Sequence, residues 1–145
     1  MGIQRLEHAG IVVEDLGAAV EFFVGLGLEL QGQWTAEGDW VGSIIGLEGV
    51  ETECAMLQTA DGDAAIELVK FNSPPAVSGD AGAPSNALGI RHLAFLVDDL
   101  DAVVAGLRER GGELVGEVVN YQDVYRLCYA RGPEGILIEL AEKLS

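Results

Sequence analysis

Two histidines and two glutamates, recurring in matched places, are the residues of this chain best suited to chemistry. His8 opens the run HAGIVVEDL and His92 opens HLAFLVDDL; the 145 residues contain no other histidine. Glu67 stands inside AIELV and Glu139 inside LIELA, each an acid interrupting an otherwise apolar stretch. Two neutral imidazoles and two carboxylates are a donor set for one divalent metal ion. Imidazole suits Zn, Ni, Co and Fe, while carboxylates neutralise charge and suit Mn and Mg. Four protein ligands leave one or two coordination positions for water or a substrate oxygen. Taken singly, each residue also fits a satisfied strand histidine or a solvent-facing acid. Four at equivalent places in a repeat favour the metal.

The repeat extends beyond these residues, and an internal duplication governs how the fold is read. Asp15-Leu16 recurs as Asp99-Leu100, and Gly27, Glu29, Leu30 and Gly32 recur as Gly111, Glu113, Leu114 and Gly116, always 84 residues apart. Residues 6–13 are predicted as a strand, with His8, Gly10 and Val12 on one face. Asp15 is predicted to cap a helix whose apolar stripe is Val20, Phe23 and Val24, ended by Gly25 and Gly27. A strand LELQGQWT, a loop over roughly 36–50, and a hairpin turning at Asp61-Gly62-Asp63 complete the first copy. The second copy has a strand GIRHLAFLV, a helix DLDAVVAGLRERG and three strands, GELVGEVV, VYRLCYAR and GILIELAE. Each copy is therefore βαβββ. The expected organisation is one domain over 1–145, built from a module 1–71, a Pro/Gly/Ser/Ala-rich linker 72–88 and a module 89–145.

Composition narrows the function. The chain is 49% hydrophobic and carries 24 acids against 8 lysines and arginines, a net charge of −16. Such a charge repels phosphate backbones and excludes nucleic acid as a partner; it favours solubility, or steering of a cationic ligand or metal. No apolar run approaches the ~20 residues that span a bilayer, and no basic, apolar signal segment precedes the first repeat. A soluble cytoplasmic protein acting on a small molecule is expected. Cys54 and Cys128 are too few for a disulfide framework and read as small buried strand residues. Sheet edges in both modules need covering, so a homodimer is expected.

From LEHAGIVVEDL to GPEGILIELAE the chain resembles the vicinal oxygen chelate superfamily, which includes glyoxalase I, methylmalonyl-CoA epimerase, extradiol dioxygenases and bleomycin-binding proteins. The resemblance implies an α+β fold in which tandem βαβββ modules form a U-shaped, eight-stranded mixed sheet around a central cavity. It implies metal ligands at His8, Glu67, His92 and Glu139. The pattern His, Glu, His, Glu is similar to glyoxalase I and the epimerases, which implies a metal-dependent isomerase or lyase moving a proton next to a chelated carbonyl. Glu139 is then the candidate base, with Glu67 the alternative by pseudo-symmetry. Val12 stands where the small bacterial glyoxalases carry a glutathione-holding arginine, which argues against a glutathione substrate. Glu48 and Glu51 lie near the loop that gives epimerases a second acid. Trp34, Trp40, Tyr121 and Tyr125 are candidates to line a pocket, and Asn72 to touch substrate. Two other functions stay open: a non-catalytic protein sequestering a cationic or aromatic antibiotic, and a ring-cleaving dioxygenase.

Overall fold

The computed structural model describes residues 2–145. The chain divides into two units, the first ending at Ser78 and the second spanning Gly79–Ser145. Among the described residues it is α+β, with three α-helices and nine strands in two mixed sheets.

The first unit runs β1 (Ala9–Val12), α1 (Leu16–Gly25), β2 (Glu29–Glu37), α2 (Asp39–Ile45), β3 (Glu51–Gln58) and β4 (Ala65–Ser73). Its sheet order is β1-β4-β3-β2, with β1 parallel to β4 and the other pairs antiparallel. Asp15 caps α1 as expected, its Oδ1 accepting from Ala18 N at 3.0 Å. The buried helix face is Ala19, Val20, Phe22 and Phe23. Val24 is 45% exposed, because it lies one step of about 100° beyond Phe23 around the helix; Phe22 takes the place expected for it. The face packs on a sheet whose inward residues include Ala55, Leu57, Ile66 and Leu68. The hairpin turns where expected: Asp61 Oδ1 accepts from Thr59 Oγ1 at 2.6 Å and from Asp63 N at 2.9 Å.

The second unit repeats the plan: β5 (Leu93–Val97), α3 (Leu100–Glu109), β6 (Glu113–Leu114), β7 (Val119–Tyr121), β8 (Tyr125–Arg131) and β9 (Leu137–Lys143). Its sheet order is β5-β9-β8-β6, and β7 also pairs with β8. Asp99 caps α3 as Asp15 caps α1, accepting from Ala102 N at 3.1 Å. Leu100, Val104 and Leu107 bury α3, and Cys128, Ala130, Ile138 and Leu140 are buried on the strands. Both helices are followed by a glycine with positive φ, Gly27 at 111° and Gly111 at 84°, which explains that repeated residue.

Three further local expectations change. The first strand is shorter than 6–13, because its ladder with β4 covers only Ala9–Val12. The segment 36–50 is not all loop: Asp39–Ile45 is a helix that Gly46 ends in a left-handed conformation. Val41 buries it against Ala36, Val50 and Phe71. The strand expected over 112–119 is two short strands, β6 and β7, with Gly116 between them, which brings the described residues to nine strands. No helix among the described residues is long and apolar enough to cross a membrane.

Candidate metal centre

The same construction is made twice. His8 lies one residue before β1 and His92 one residue before β5. On the neighbouring parallel strand Glu67 pairs with Gly10, and Glu139 pairs with Ala94, in each case two residues after the histidine. Strand alternation therefore puts each His and Glu on a common face. His8 Nε2 is 4.0 Å from Glu67 Oε1 and His92 Nε2 is 3.6 Å from Glu139 Oε1. All four side chains are partly buried. The small residues Gly10 and Ala94 leave space beside each carboxylate; nothing stands within 4 Å of where a β-carbon on Gly10 would point.

An imidazole nitrogen facing a carboxylate oxygen is a two-donor grip suited to a borderline divalent cation. The structure thus brings the four residues together two by two. Among the described residues no three His, Cys, Asp or Glu side chains are gathered into one group. His8 also pairs through Nδ1 with Glu7, and that hydrogen bond holds the Glu7 carboxyl below its usual range.

The two pairs are not equivalent. Across the antiparallel ladder Glu139 faces Tyr129, whereas Glu67 faces Met56. The Tyr129 hydroxyl lies 3.3 Å from His92 Nε2, and the two rings are 4.8 Å apart. Burial, then the Glu139 charge and a hydrogen bond to Glu139, push the Tyr129 phenol above its usual range. The second unit therefore offers a third polar group beside its pair, one that can donate a proton or a hydrogen bond. Tyr129 was not among the sequence candidates.

The other candidates divide. Trp34 pairs with Cys54 and is 40% exposed on the face that carries Met56 and Glu67. Tyr125 and its cross-strand partner Tyr121 share the face of Tyr129. Trp40 is exposed on α2. Glu51 pairs with Ser73, six residues along β4 from Glu67, on the order of 20 Å away. Glu48 is exposed in the turn after α2. Asn72 donates to Glu53 Oε2 at 3.1 Å. Cys54 and Cys128 are buried strand residues as expected; burial pushes both thiols up.

Comparison with known proteins identifies the family and the fold. The sequence profile of the Glyoxalase/Bleomycin resistance protein/Dioxygenase superfamily matches residues 5–140. The chain is 28% identical to the uncharacterized protein YaeR of Escherichia coli (strain K12) over 99% of both chains. It is 47% identical to a glyoxalase family protein of Bacillus cereus whose crystal structure superposes with a TM-score of 0.97, covering 100% of this chain and 97% of that one. The fold is also similar, at 19% identity and TM-score 0.62 over 95% of this chain and 89% of the other, to the fosfomycin resistance protein FosX of Listeria monocytogenes. That structure is a complex with Mn(II) and 1S,2S-dihydroxypropylphosphonic acid.

Proposed function

The chain belongs to the Glyoxalase/Bleomycin resistance protein/Dioxygenase superfamily, and from that premise we propose that it is a divalent-metal-dependent isomerase or lyase of the glyoxalase or epimerase kind. In this proposal His8, Glu67, His92 and Glu139 are the metal ligands, with up to one ion per chain, and a small-molecule substrate is the partner. The observation that carries it is the repeated His–Glu pair, each imidazole turned toward a carboxylate from the next strand. FosX, a member of the same fold, is described with Mn(II); the ion here is one of Zn, Ni, Co, Mn or Fe.

When bound, such an ion polarises a carbonyl and makes the neighbouring C–H more acidic. The chain's own residues supply the rest. Glu139 takes the proton as base, with Glu67 the alternative. Tyr129, beside His92 and Glu139, donates a hydrogen bond to oxygen as charge develops there. Trp34, Tyr121 and Tyr125 give the faces around the pairs an apolar lining.

The test is proton exchange from a panel of 2-oxo acids, hemithioacetals and branched acyl thioesters in heavy water. Metal-dependent exchange is expected, with a loss of about 10²–10⁴ in rate for Glu139→Gln. A cation-sequestering protein is the second reading, favoured by the net charge of −16; tight binding of a cationic natural product with no exchange in any panel member selects it.

A homodimer in the cytoplasm completes the proposal. β1 and β5 each end their sheet, and on the face of each histidine they expose an apolar side chain, Val12 at 55% and Leu96 at 71%. Edges of this kind call for a covering partner. The two free, buried cysteines suit a reducing compartment. Light scattering that gives a monomer mass at micromolar concentration contradicts the dimer.

A further inference from the structure

In the second unit two guanidinium groups close on one short loop. Arg91 Nη2 donates to the carbonyl oxygens of Ala83 at 3.0 Å and Pro84 at 3.1 Å, and its Nε donates to Pro84 at 3.4 Å. Arg131 Nη2 donates to the same Ala83 oxygen at 2.6 Å, and its Nη1 to Ala81 and Gly135, each at 3.2 Å. Every acceptor is a neutral carbonyl. Both guanidiniums thus converge on the one Ala83 oxygen, in a chain with three acids for every base. Two positive charges sharing one carbonyl repel each other. A guanidinium bonds an ionised oxygen about twice as strongly as a neutral one, and often through both arms of its fork. A bridging oxyanion is a stronger acceptor for this pair than the carbonyl the two arginines share.

Position says what the anion belongs to. Arg131 and Tyr129 are two residues apart on β8, so they share a face about 7 Å apart. Tyr129 in turn stands across from Glu139. Arg91 immediately precedes His92. The pair therefore flanks the His92, Tyr129 and Glu139 group at one end of its sheet face. Gly135, with φ of 79°, lies so close under Ala81 that a β-carbon would overlap it. The loop is thus seated on the turn, which fixes the direction of Arg131.

We propose that Arg91 and Arg131 form an oxyanion site that takes a carboxylate or phosphate group of the substrate in place of the loop carbonyls. The word substrate rests on the function proposed above, and narrows it to anionic compounds. The anion site itself needs no metal.

The test is therefore made on metal-free, dialysed protein, titrated calorimetrically with inorganic phosphate and, separately, with acetate. A net charge of −16 repels anions at long range, so saturable binding has to come from a local site. One saturable site per chain is expected. Arg91→Gln and Arg131→Gln each weaken it about tenfold or more, the worth of a lost charged hydrogen bond. Arg131→Lys, which keeps the charge and loses the fork, falls between. The tighter of the two anions identifies the group the substrate carries. Amide exchange of β8 and β9 verifies that each variant is folded, and the two arginines are tested independently. No saturable binding of either anion, or unchanged affinity in both folded glutamine variants, overturns the proposal. Neither result touches the metal reading, and failure of the metal reading leaves this site intact.

Discussion

Tyr129 faces Glu139 directly across the β8–β9 ladder, its hydroxyl 3.3 Å from His92 Nε2. The corresponding place in the first unit, opposite Glu67, is held by Met56. A thioether cannot donate a hydrogen bond, so the duplication has given its two halves the same His–Glu grip and different third residues. This asymmetry favours Glu139 over Glu67 as the proton-transfer partner.

Under the proposed function, Tyr129→Phe should therefore slow substrate proton exchange by about tenfold, the worth of one hydrogen bond. Metal content should not change, because both His–Glu pairs remain. Met56→Leu, a volume-conserving change, should leave the rate near its original value. Exchange in heavy water at saturating metal checks both. Equal rates in the Tyr129→Phe variant and the original protein would remove Tyr129 from the chemistry.

The buried thiols lead to a pH dependence. Burial raises Cys54 and Cys128, and burial with the Glu139 charge raises Tyr129. The folded state therefore prefers these groups neutral. Their contribution to stability is complete below the unfolded values, about 8.5 for a thiol and about 10 for a phenol. It is lost as pH climbs through the raised folded values. The urea midpoint should fall steadily above about pH 8.5, and a thiol reagent should react slowly with native protein and rapidly in urea. A midpoint that stays constant through the thiol range contradicts the burial.

The matched helix caps should carry equal weight in stability. Asp15→Ala and Asp99→Ala each remove one side-chain acceptor from the first turn, at Ala18 N and Ala102 N. Each should cost about 1 kcal/mol, read as a lower urea midpoint. Asn at either place keeps a capping oxygen and should restore most of the loss. If neither alanine variant shifts the midpoint, the caps are not what the repeated Asp-Leu preserves.

Much of this was legible in the sequence, because the duplication turns weak local signals into paired ones. The Asp caps, the glycine after each helix and the face shared by each His and Glu all follow from repeated spacing and strand parity. Tyr129 was also within reach: a hairpin turning at residues 133–135 sets residue 129 opposite residue 139 by equal distance from its centre. The same count about Asp61-Gly62 sets Met56 opposite Glu67. Helix α2 was not legible, since Gly42 and Gly46 read as loop, and its burial comes from the distant Phe71. Nor could the pattern reveal that Arg91 and Arg131 meet at Ala83, because that contact joins the linker to the end of β8 and to the segment before β5.

Under the proposed function His8, Glu67, His92 and Glu139 hold a divalent metal. Elemental analysis of protein purified without chelator tests it most directly. The expected result is up to one divalent ion per chain in the original protein, with most of it lost from both His8→Ala and His92→Ala. Removing a ligand should weaken the site by more than the ~10–100-fold known for residues that only support ligands. Metal content that stays the same in both folded variants would contradict the account.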